Sequence, residues 1–104
     1  MKKRLRKKMD KARRKEIHKL LDLILDINGI SKRRGDLTGN LPTAFFRFSG
    51  HTAMISIEIF KDGWESNQYS DFYEHVYLDC PDRRQVHSLV CKVNGYTKRK
   101  GLIR

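Results

Sequence analysis

The sequence predicts a small α+β domain with the element order α-β-β-β-α, a two-layer sandwich. An antiparallel sheet of three to four strands carries two helices on one face. Three patterns predict this class: an amphipathic helix ahead of Asn28-Gly29, extended segments between residues 44 and 78, and a second amphipathic helix after Pro81. A chain of 104 residues is long enough for one domain with a single core.

The first helix has an apolar stripe in its second half only. The members of this stripe share one helical face: Ile17, Leu20, Leu21, Ile24 and Ile27. Asn28-Gly29-Ile30 predicts the helix end, because Gly29 tolerates a left-handed conformation and Ile30 can fold back onto the last turn. We therefore predict a docked helix over about residues 16–28.

The residues ahead of this stripe are strongly cationic. Eleven Lys and Arg stand against Asp10 and Glu16: Lys2, Lys3, Arg4, Arg6, Lys7, Lys8, Lys11, Arg13, Arg14, Lys15 and Lys19. Like charges at this density oppose helix formation, so an ordinary solvated helix face does not explain them. Lys and Arg that neutralise phosphates release counterions, and a nucleic acid is therefore the expected partner, ahead of an anionic membrane surface. We divide the chain into a basic arm (1–15, a helical extension), a domain (16–96) and a basic tail (97–104).

The net charge of +11 is unevenly distributed along the chain. Residues 1–34 have a net charge of +10, residues 35–82 of −6 and residues 83–104 of +7. Such a distribution predicts separate surfaces of opposite sign rather than a uniformly cationic one. We expect no signal peptide and no membrane span, and two cysteines, Cys80 and Cys91, favour a reducing cytoplasm over a disulfide scaffold.

The middle of the chain predicts the sheet. A turn-rich loop with a basic tip at Lys32, Arg33 and Arg34 leads to a strand over 44–48. The clearest strand is 52–60, where Ala53, Ile55, Ile57 and Ile59 alternate with polar or larger side chains and predict the buried face. Lys61-Asp62-Gly63-Trp64 predicts a hairpin turn. The return strand is predicted to start at Trp64, to break or bulge near residues 66–68, and to be extended over 72–78. The opposite face should carry Phe45, Arg47, Met54, Glu58, Phe60, Tyr73, His75 and Tyr77.

The second helix is predicted to begin near Asp79-Cys80-Pro81-Asp82, with an Asp cap and a proline in the first turn. Its apolar stripe is Val86, Leu89, Val90 and Val93. Asn94-Gly95-Tyr96 repeats the pattern of Asn28-Gly29-Ile30 and predicts the helix end. The tail with Lys98, Arg99 and Lys100 is then expected to fray.

The element order over residues 16–95 resembles that of double-stranded RNA-binding domains. In that family, a Gly-Pro-x-His loop between the first two strands reaches a minor groove, and a Lys-Lys-x-Ala-Lys start of the last helix meets phosphates. Here the corresponding places read Gly50-His51 and Asp82-Arg83-Arg84, without the proline and without the lysine motif. The resemblance implies RNA contacts for Gly50, His51, Arg83 and Arg84.

A second resemblance concerns the opening, which reads Met-Lys-Lys-Arg-Leu-Arg-Lys-Lys, on a short α+β chain. It is similar to small proteins of Gram-positive phages and mobile elements, among them type II anti-CRISPR proteins, which share no signature residues. This resemblance implies a non-enzymatic protein that inhibits Cas9, by competing for guide RNA or by occupying the nucleic-acid channel. The basic arm suits the first mode and the acidic middle suits the second. The expected partner is RNA or a Cas9–guide RNA complex.

Three further sets of residues are candidates for other functions. A metal-dependent nuclease would use His51, Glu58, Asp62, Asp71 and Glu74, but their spacing defines no site. Zinc would use Cys80, His87 and Cys91, with His75 near in sequence, but the spacing lacks the usual ligand pairs, so no metal and no cofactor is expected. Phe45, Phe60, Tyr73 and Tyr77 form a candidate base-stacking surface or protein interface, and Glu58 and Glu74 are expected among them, where they disfavour phosphate. The predicted nucleic-acid-binding residues are the cations of the arm up to Lys15, the loop cations Lys32, Arg33 and Arg34, and Arg83, Arg84, Lys98, Arg99 and Lys100.

Overall fold

A computed structural model of the protein describes residues 3–30, 41–79 and 84–102. The elements are α1 (Lys3–Asn28), β1 (Thr43–Ser49), β2 (Met54–Phe60), β3 (Phe72–Tyr77) and α2 (Arg84–Lys100). This order confirms the predicted α-β-β-β-α fold. The predicted loop tip at residues 32–34 and the predicted cap of the second helix at residues 80–82 lie outside the described residues.

The three strands form one antiparallel sheet in the order β1-β2-β3. Ile57 is the centre of the sheet, with Phe46 and Glu74 as its partners on either side. Alternate residues along each strand point to opposite faces, so Ile55, Ile57 and Ile59 share one face with the neighbouring Ala44, Phe46 and Phe72. Both helices cover this face.

The core lies between the sheet and the two helices. Ile55, Ile57 and Ile59 are almost completely buried, as the alternation predicts. They pack against two helical stripes in a single cluster: Leu20, Ile24 and Ile27 from α1, and Leu89, Val90 and Val93 from α2. Leu21 was predicted to belong to the α1 stripe, but it is exposed, because it lies one residue around the helix from Leu20, beside the exposed Leu25.

Both helices run in the same direction along the sheet. Asn28 at the end of α1 bonds to Ala44, and Tyr96 in the last part of α2 packs its ring 4.9 Å from that of Phe72. Ala44 and Phe72 are both paired with Ile59, so the two helices finish over the same row of the sheet. Their first halves therefore lie together at the opposite end.

The connections around β2 differ from the prediction. Ala53 was assigned to the buried face of the strand, but it adopts a left-handed conformation (φ 52°) in the turn before Met54. The break in the return strand is wider than predicted, since only an isolated bridge at Glu65 precedes β3, which begins at Phe72. Asp71 closes the long connection: its backbone N–H donates to the Ile59 carbonyl at 2.9 Å, and its carboxylate accepts from the Lys61 N–H at 2.9 Å.

The end of α1 follows a simple left-handed cap. Gly29 has φ 71°, and its N–H donates to the Leu25 carbonyl at 2.7 Å. Ile30 was predicted to fold back onto the helix, but it is 91% exposed. Gly29 closes the helix with the single hydrogen bond of an αL cap. The fold-back contact by the residue after the glycine belongs to the Schellman motif, so Ile30 does not make it.

The Schellman motif occurs at the end of α2, six residues later than predicted. Gly101 has φ 62°, and the N–H groups of Gly101 and Leu102 donate to the carbonyls of Lys98 (3.3 Å) and Thr97 (2.9 Å). Leu102 folds back and is 5% exposed. The predicted helix end at Asn94-Gly95 is therefore wrong, and so is the expectation that the tail frays from Thr97, which is fully buried in α2.

Candidate nucleic-acid interface

Helix α1 runs without a break through the predicted arm boundary at residue 15. Its 26 residues extend about 39 Å. The body-facing side continues toward the N-terminus beyond the apolar stripe, since Ile17, Glu16, Arg13 and Met9 are all half-buried. The first half of the helix therefore rests on the domain from about Met9 onward.

Arg13 anchors this half to the sheet. Its Nη1 donates a hydrogen bond to the carbonyl oxygen of Leu78, just beyond β3, at 2.9 Å. A shallow hollow at this point is bounded by Ala53 of the β1–β2 turn, by the end of β3 and by α1: Asp10, Arg13, Arg14, Ile17, Ala53, Leu78 and Asp79. The β1–β2 turn and the end of β3 therefore both meet the first half of α1.

The start of α2 meets the same segment from the other side. Val86 and His87 form a groove with Lys8, Met9, Ala12, Arg13 and Glu16. Within it, Glu16 Oε2 lies 3.3 Å from His87 Nδ1, and Glu16 Oε1 lies 3.2 Å from Lys19 Nζ. Partial burial raises the pKa of Glu16, but the hydrogen bonds with His87 and Lys19 outweigh it and leave the pKa below its ordinary value.

The remaining cations of this half point to solvent. Lys7, Lys11, Arg14 and Lys15 are exposed and form one ridge along α1: Lys7, Lys11 and Lys15 stand four positions apart, and Arg14 lies on the side of the hollow beside Ala53. From Lys7 to Lys15 this ridge is about 12 Å long. We call these four residues the outer ridge. Lys8 is also exposed, beside the groove.

Several predicted contacts fall elsewhere. Lys3, Arg4 and Arg6 belong to α1, but their side chains lie outside the described residues, as do Lys2, Lys32, Arg33, Arg34 and Arg83. Arg84 is exposed at the start of α2, and Gly50 and His51 are exposed in the β1–β2 turn, at the same end as the outer ridge.

The other basic cluster is far from this end. Lys98, Arg99 and Lys100 occupy the last turn of α2. Arg84 and Lys98 are about 21 Å apart along the helix. The neighbouring connection between β2 and β3 is acidic: burial, and then the carboxylates of Asp71 and Asp62, raise the pKa of Tyr96 there. The structure therefore does not bring these three cations together with the outer ridge.

No family model, curated protein or solved structure matches this chain. The dense positive charge of the first half of α1 is evident from the sequence. No local pattern in the sequence predicts that Arg13 anchors α1 or that Glu16 pairs with His87, because both contacts join residues more than sixty positions apart.

The uncovered face of the sheet is divided into two parts. Phe45 makes edge contacts with Phe60 (5.8 Å) and Trp64 (6.1 Å), and Phe60 is buried beneath them. On β3, the ring of His75 lies between Tyr73 (5.7 Å) and Tyr77 (5.8 Å), and these tyrosines are 50% and 46% exposed. Of the four predicted stacking residues, the two tyrosines present open rings.

Glu74 was predicted to stand among these aromatic side chains. It lies on the helix-covered face instead, as the strand alternation requires, and pairs with Lys92 of α2 at 3.7 Å. Glu58 does lie on the open face, where it pairs with Arg47 at 3.9 Å. One carboxylate, not two, therefore stands among the aromatics.

The residues weighed for a metal or a nuclease site are scattered. Glu58 and Glu74 lie on opposite faces, and Asp71 closes a loop. Cys80 lies outside the described residues, while His87 Nε2 and Cys91 Sγ are 3.5 Å apart. Across residues 3–30, 41–79 and 84–102, the His, Cys, Asp and Glu side chains form no group of three suited to a metal ion. Neither helix combines the length and the apolar character needed to cross a bilayer over those same residues.

Proposed function

We propose that this protein binds structured RNA through the outer ridge of α1. The observation that carries the proposal is the combination of exposure and anchoring. Lys7, Lys11, Arg14 and Lys15 face solvent on a helix whose other side is held to the domain by Arg13 and by the apolar stripe. A cationic ridge held in one orientation meets phosphates at lower entropic cost than a loose charged chain does.

A double-helical RNA suits the arrangement better than a single strand. Exposed groups of the β1–β2 turn (Gly50, His51) and of the start of α2 (Arg84) lie at the same end as the ridge. Three separate elements at one end can contact a regular, rigid ligand with repeated phosphates. Double-stranded RNA is such a ligand, and proteins recognise it largely by its shape. This is also the partner implied by the resemblance to double-stranded RNA-binding domains.

A guide RNA held by Cas9 is a specific case of this partner. Competition for structured guide RNA would use the outer ridge, whereas entry into the cationic channel of Cas9 would use the acidic carboxylates of the β2–β3 connection. We favour the first mode, because the outer ridge is the denser charge cluster. The matching assay is DNA cleavage by Cas9 with protein added before or after guide RNA; competition predicts inhibition only when the protein is added first.

The decisive experiment compares two double variants of equal charge. Lys11→Gln with Lys15→Gln removes two cations from the outer ridge, whereas Lys61→Gln with Lys92→Gln removes two from other surfaces. Binding to a 20-base-pair RNA duplex is measured by fluorescence anisotropy at several salt concentrations. We expect the ridge variant to bind at least about tenfold more weakly, about 1.4 kcal/mol, with a shallower salt slope by up to about two units.

Equal weakening by the two variants would show that net charge alone matters and would contradict the proposed surface. A flat salt dependence in the parent protein would contradict phosphate binding altogether. Single-stranded RNA and duplex DNA of the same length are the comparison ligands, and the duplex RNA should bind most tightly. Cleavage of the RNA on addition of Mg²⁺ would instead favour the nuclease alternative.

A further inference from the structure

Glu16, His87 and Cys91 form a chain of side chains on the surface between the two helices. Glu16 Oε2 lies 3.3 Å from His87 Nδ1, and His87 Nε2 lies 3.5 Å from Cys91 Sγ. His87 and Cys91 are four residues apart on α2 and share one helical face, whereas Glu16 comes from α1. Each ring nitrogen of His87 thus has its own partner.

This order of groups defines the hydrogen positions in the neutral ring. An ionised carboxylate can only accept, so Nδ1 carries the proton that it donates to Glu16. The lone pair is then on Nε2, which faces the thiol. Nucleophile, base and a carboxylate that orients the base are the arrangement used to activate cysteine. Burial raises the pKa of Glu16, but its hydrogen bonds with His87 and Lys19 outweigh burial and lower the pKa. The carboxylate is therefore ionised at neutral pH.

We propose that Cys91 is a reactive thiol that exchanges with low-molecular-weight disulfides, with His87 accepting its proton and Glu16 positioning the His87 ring. Metal binding fits the geometry less well. A metal ion needs its donors to converge on one point, whereas the imidazole lies between the carboxylate and the sulfur and presents a different nitrogen to each. Cys91 and His87 are both exposed, so a small disulfide can reach the sulfur.

The exchange is balanced within these groups and one co-reactant. The Cys91 S–H bond breaks and its proton passes to His87 Nε2. The thiolate attacks one sulfur of the disulfide, so that a new bond to Cys91 forms and the original S–S bond breaks. Cys91 is oxidised, the departing sulfur is reduced, and this leaving thiolate takes up the proton from the imidazolium or from water. The product is a mixed disulfide on α2.

The experiment measures the rate of this exchange at Cys91 alone. The full-length protein is mixed with 5,5′-dithiobis(2-nitrobenzoate), quenched with acid at set times and digested, and the mixed disulfide is quantified on the Cys91 and Cys80 peptides separately by mass spectrometry. We expect His87→Gln to slow modification of Cys91 at pH 7 by at least about tenfold, less than the hundredfold or more typical of a positioned base, because both side chains are exposed to water. Glu16→Gln should slow it about threefold, a smaller effect because the base is retained.

The pH profile separates proton transfer from a merely structural role. The difference between parent and His87→Gln should shrink as the pH rises past about 9, where cysteine thiols ionise without a base. Ser88→Ala is the matched control on the same exposed side of α2 and should leave the rate unchanged. Equal rates in the parent and His87→Gln at pH 7, or a rate difference independent of pH, would overturn the proposal. Circular dichroism confirms that each variant is folded.

Discussion

Arg13 Nη1 donates a hydrogen bond to the carbonyl oxygen of Leu78 at 2.9 Å, joining the cationic half of α1 to the residue that follows β3. The neighbouring Arg14 is exposed. One of these two adjacent arginines therefore bonds to the domain and the other faces solvent, because neighbouring residues of a helix are about 100° apart around its axis. Charge counted along the sequence does not distinguish them.

The first prediction uses this pair of arginines. Arg13→Gln should lower the free energy of unfolding by about 1–2 kcal/mol, since a hydrogen bond from a charged donor to a partly buried carbonyl is lost. Arg14→Gln should change it by less than about 0.5 kcal/mol. Thermal denaturation followed by circular dichroism gives both values. RNA binding should respond in the opposite order, and a Tm for Arg14→Gln as low as that for Arg13→Gln would contradict the assignment.

The second prediction concerns the amide of Asn28. Its Nδ2 donates to the Ala44 carbonyl at 2.8 Å, and its Oδ1 accepts from the Ala44 N–H at 2.7 Å. The side chain thus pairs with the edge strand as another strand would. Asn28→Ala should destabilise the protein by about 2 kcal/mol, since two hydrogen bonds are lost.

Asn94→Ala is the control for this change, because it makes the same replacement inside α2, where alanine has the higher helix propensity. It should be neutral or slightly stabilising. Urea denaturation measures both variants. Asn28→Asp keeps the acceptor but sets an ionised oxygen against the Ala44 carbonyl at the C-terminal end of α1, so it should be no more stable than Asn28→Ala at pH 7; stability equal to the parent would show that the donor to Ala44 contributes nothing.

The third prediction distinguishes two glycines of α2. Gly95 lies inside the helix, and a Cβ there would meet no atom within 4 Å, so Gly95→Ala should stabilise by about 0.5–1 kcal/mol. Gly101 has φ 62° at the helix end, so Gly101→Ala should destabilise by about 1 kcal/mol. The melting temperatures should therefore move in opposite directions. A lower melting temperature for Gly95→Ala would instead support the helix end that the sequence predicts at Asn94-Gly95.

The fourth prediction is a pH dependence set by Glu16. Its pKa is lowered from the ordinary value of 4.5 in the folded protein, so the ionised form stabilises the fold. This contribution is fully present above the unfolded value and is lost as the pH falls through the lowered one. The parent should therefore have a higher free energy of unfolding than Glu16→Gln at pH 7, by less than about 1 kcal/mol for a partly exposed pair. This difference should vanish in acid.

Glu65→Gln, in the exposed β2–β3 connection, is the control and should show no comparable loss between neutral and acid pH. Melting curves at half-unit pH intervals make the comparison. A difference between parent and Glu16→Gln that grows in acid would reverse the sign and refute a lowered pKa for Glu16.

Local patterns in the sequence were sufficient for the elements and the core. The alternation of Ile55, Ile57 and Ile59 depends only on the period of a strand, and the spacing of Leu20, Ile24 and Ile27 only on the period of a helix. Burial follows these periods because each element has one apolar face to cover. The density of cations near the N-terminus is likewise a property of the sequence, and it placed the candidate interface on α1.

Tertiary structure decided which of several equivalent signals is used. Asn28-Gly29-Ile30 and Asn94-Gly95-Tyr96 have the same local propensity, yet α2 continues to Lys100, because Tyr96, Thr97 and Leu102 find space in the core. The pairing of Asn28 with Ala44, of Arg13 with Leu78 and of Glu16 with His87 joins residues distant in sequence. Such contacts depend on how the elements are placed around the core, and hydrogen-bonding groups have no periodicity by which the sequence alone could reveal their partners.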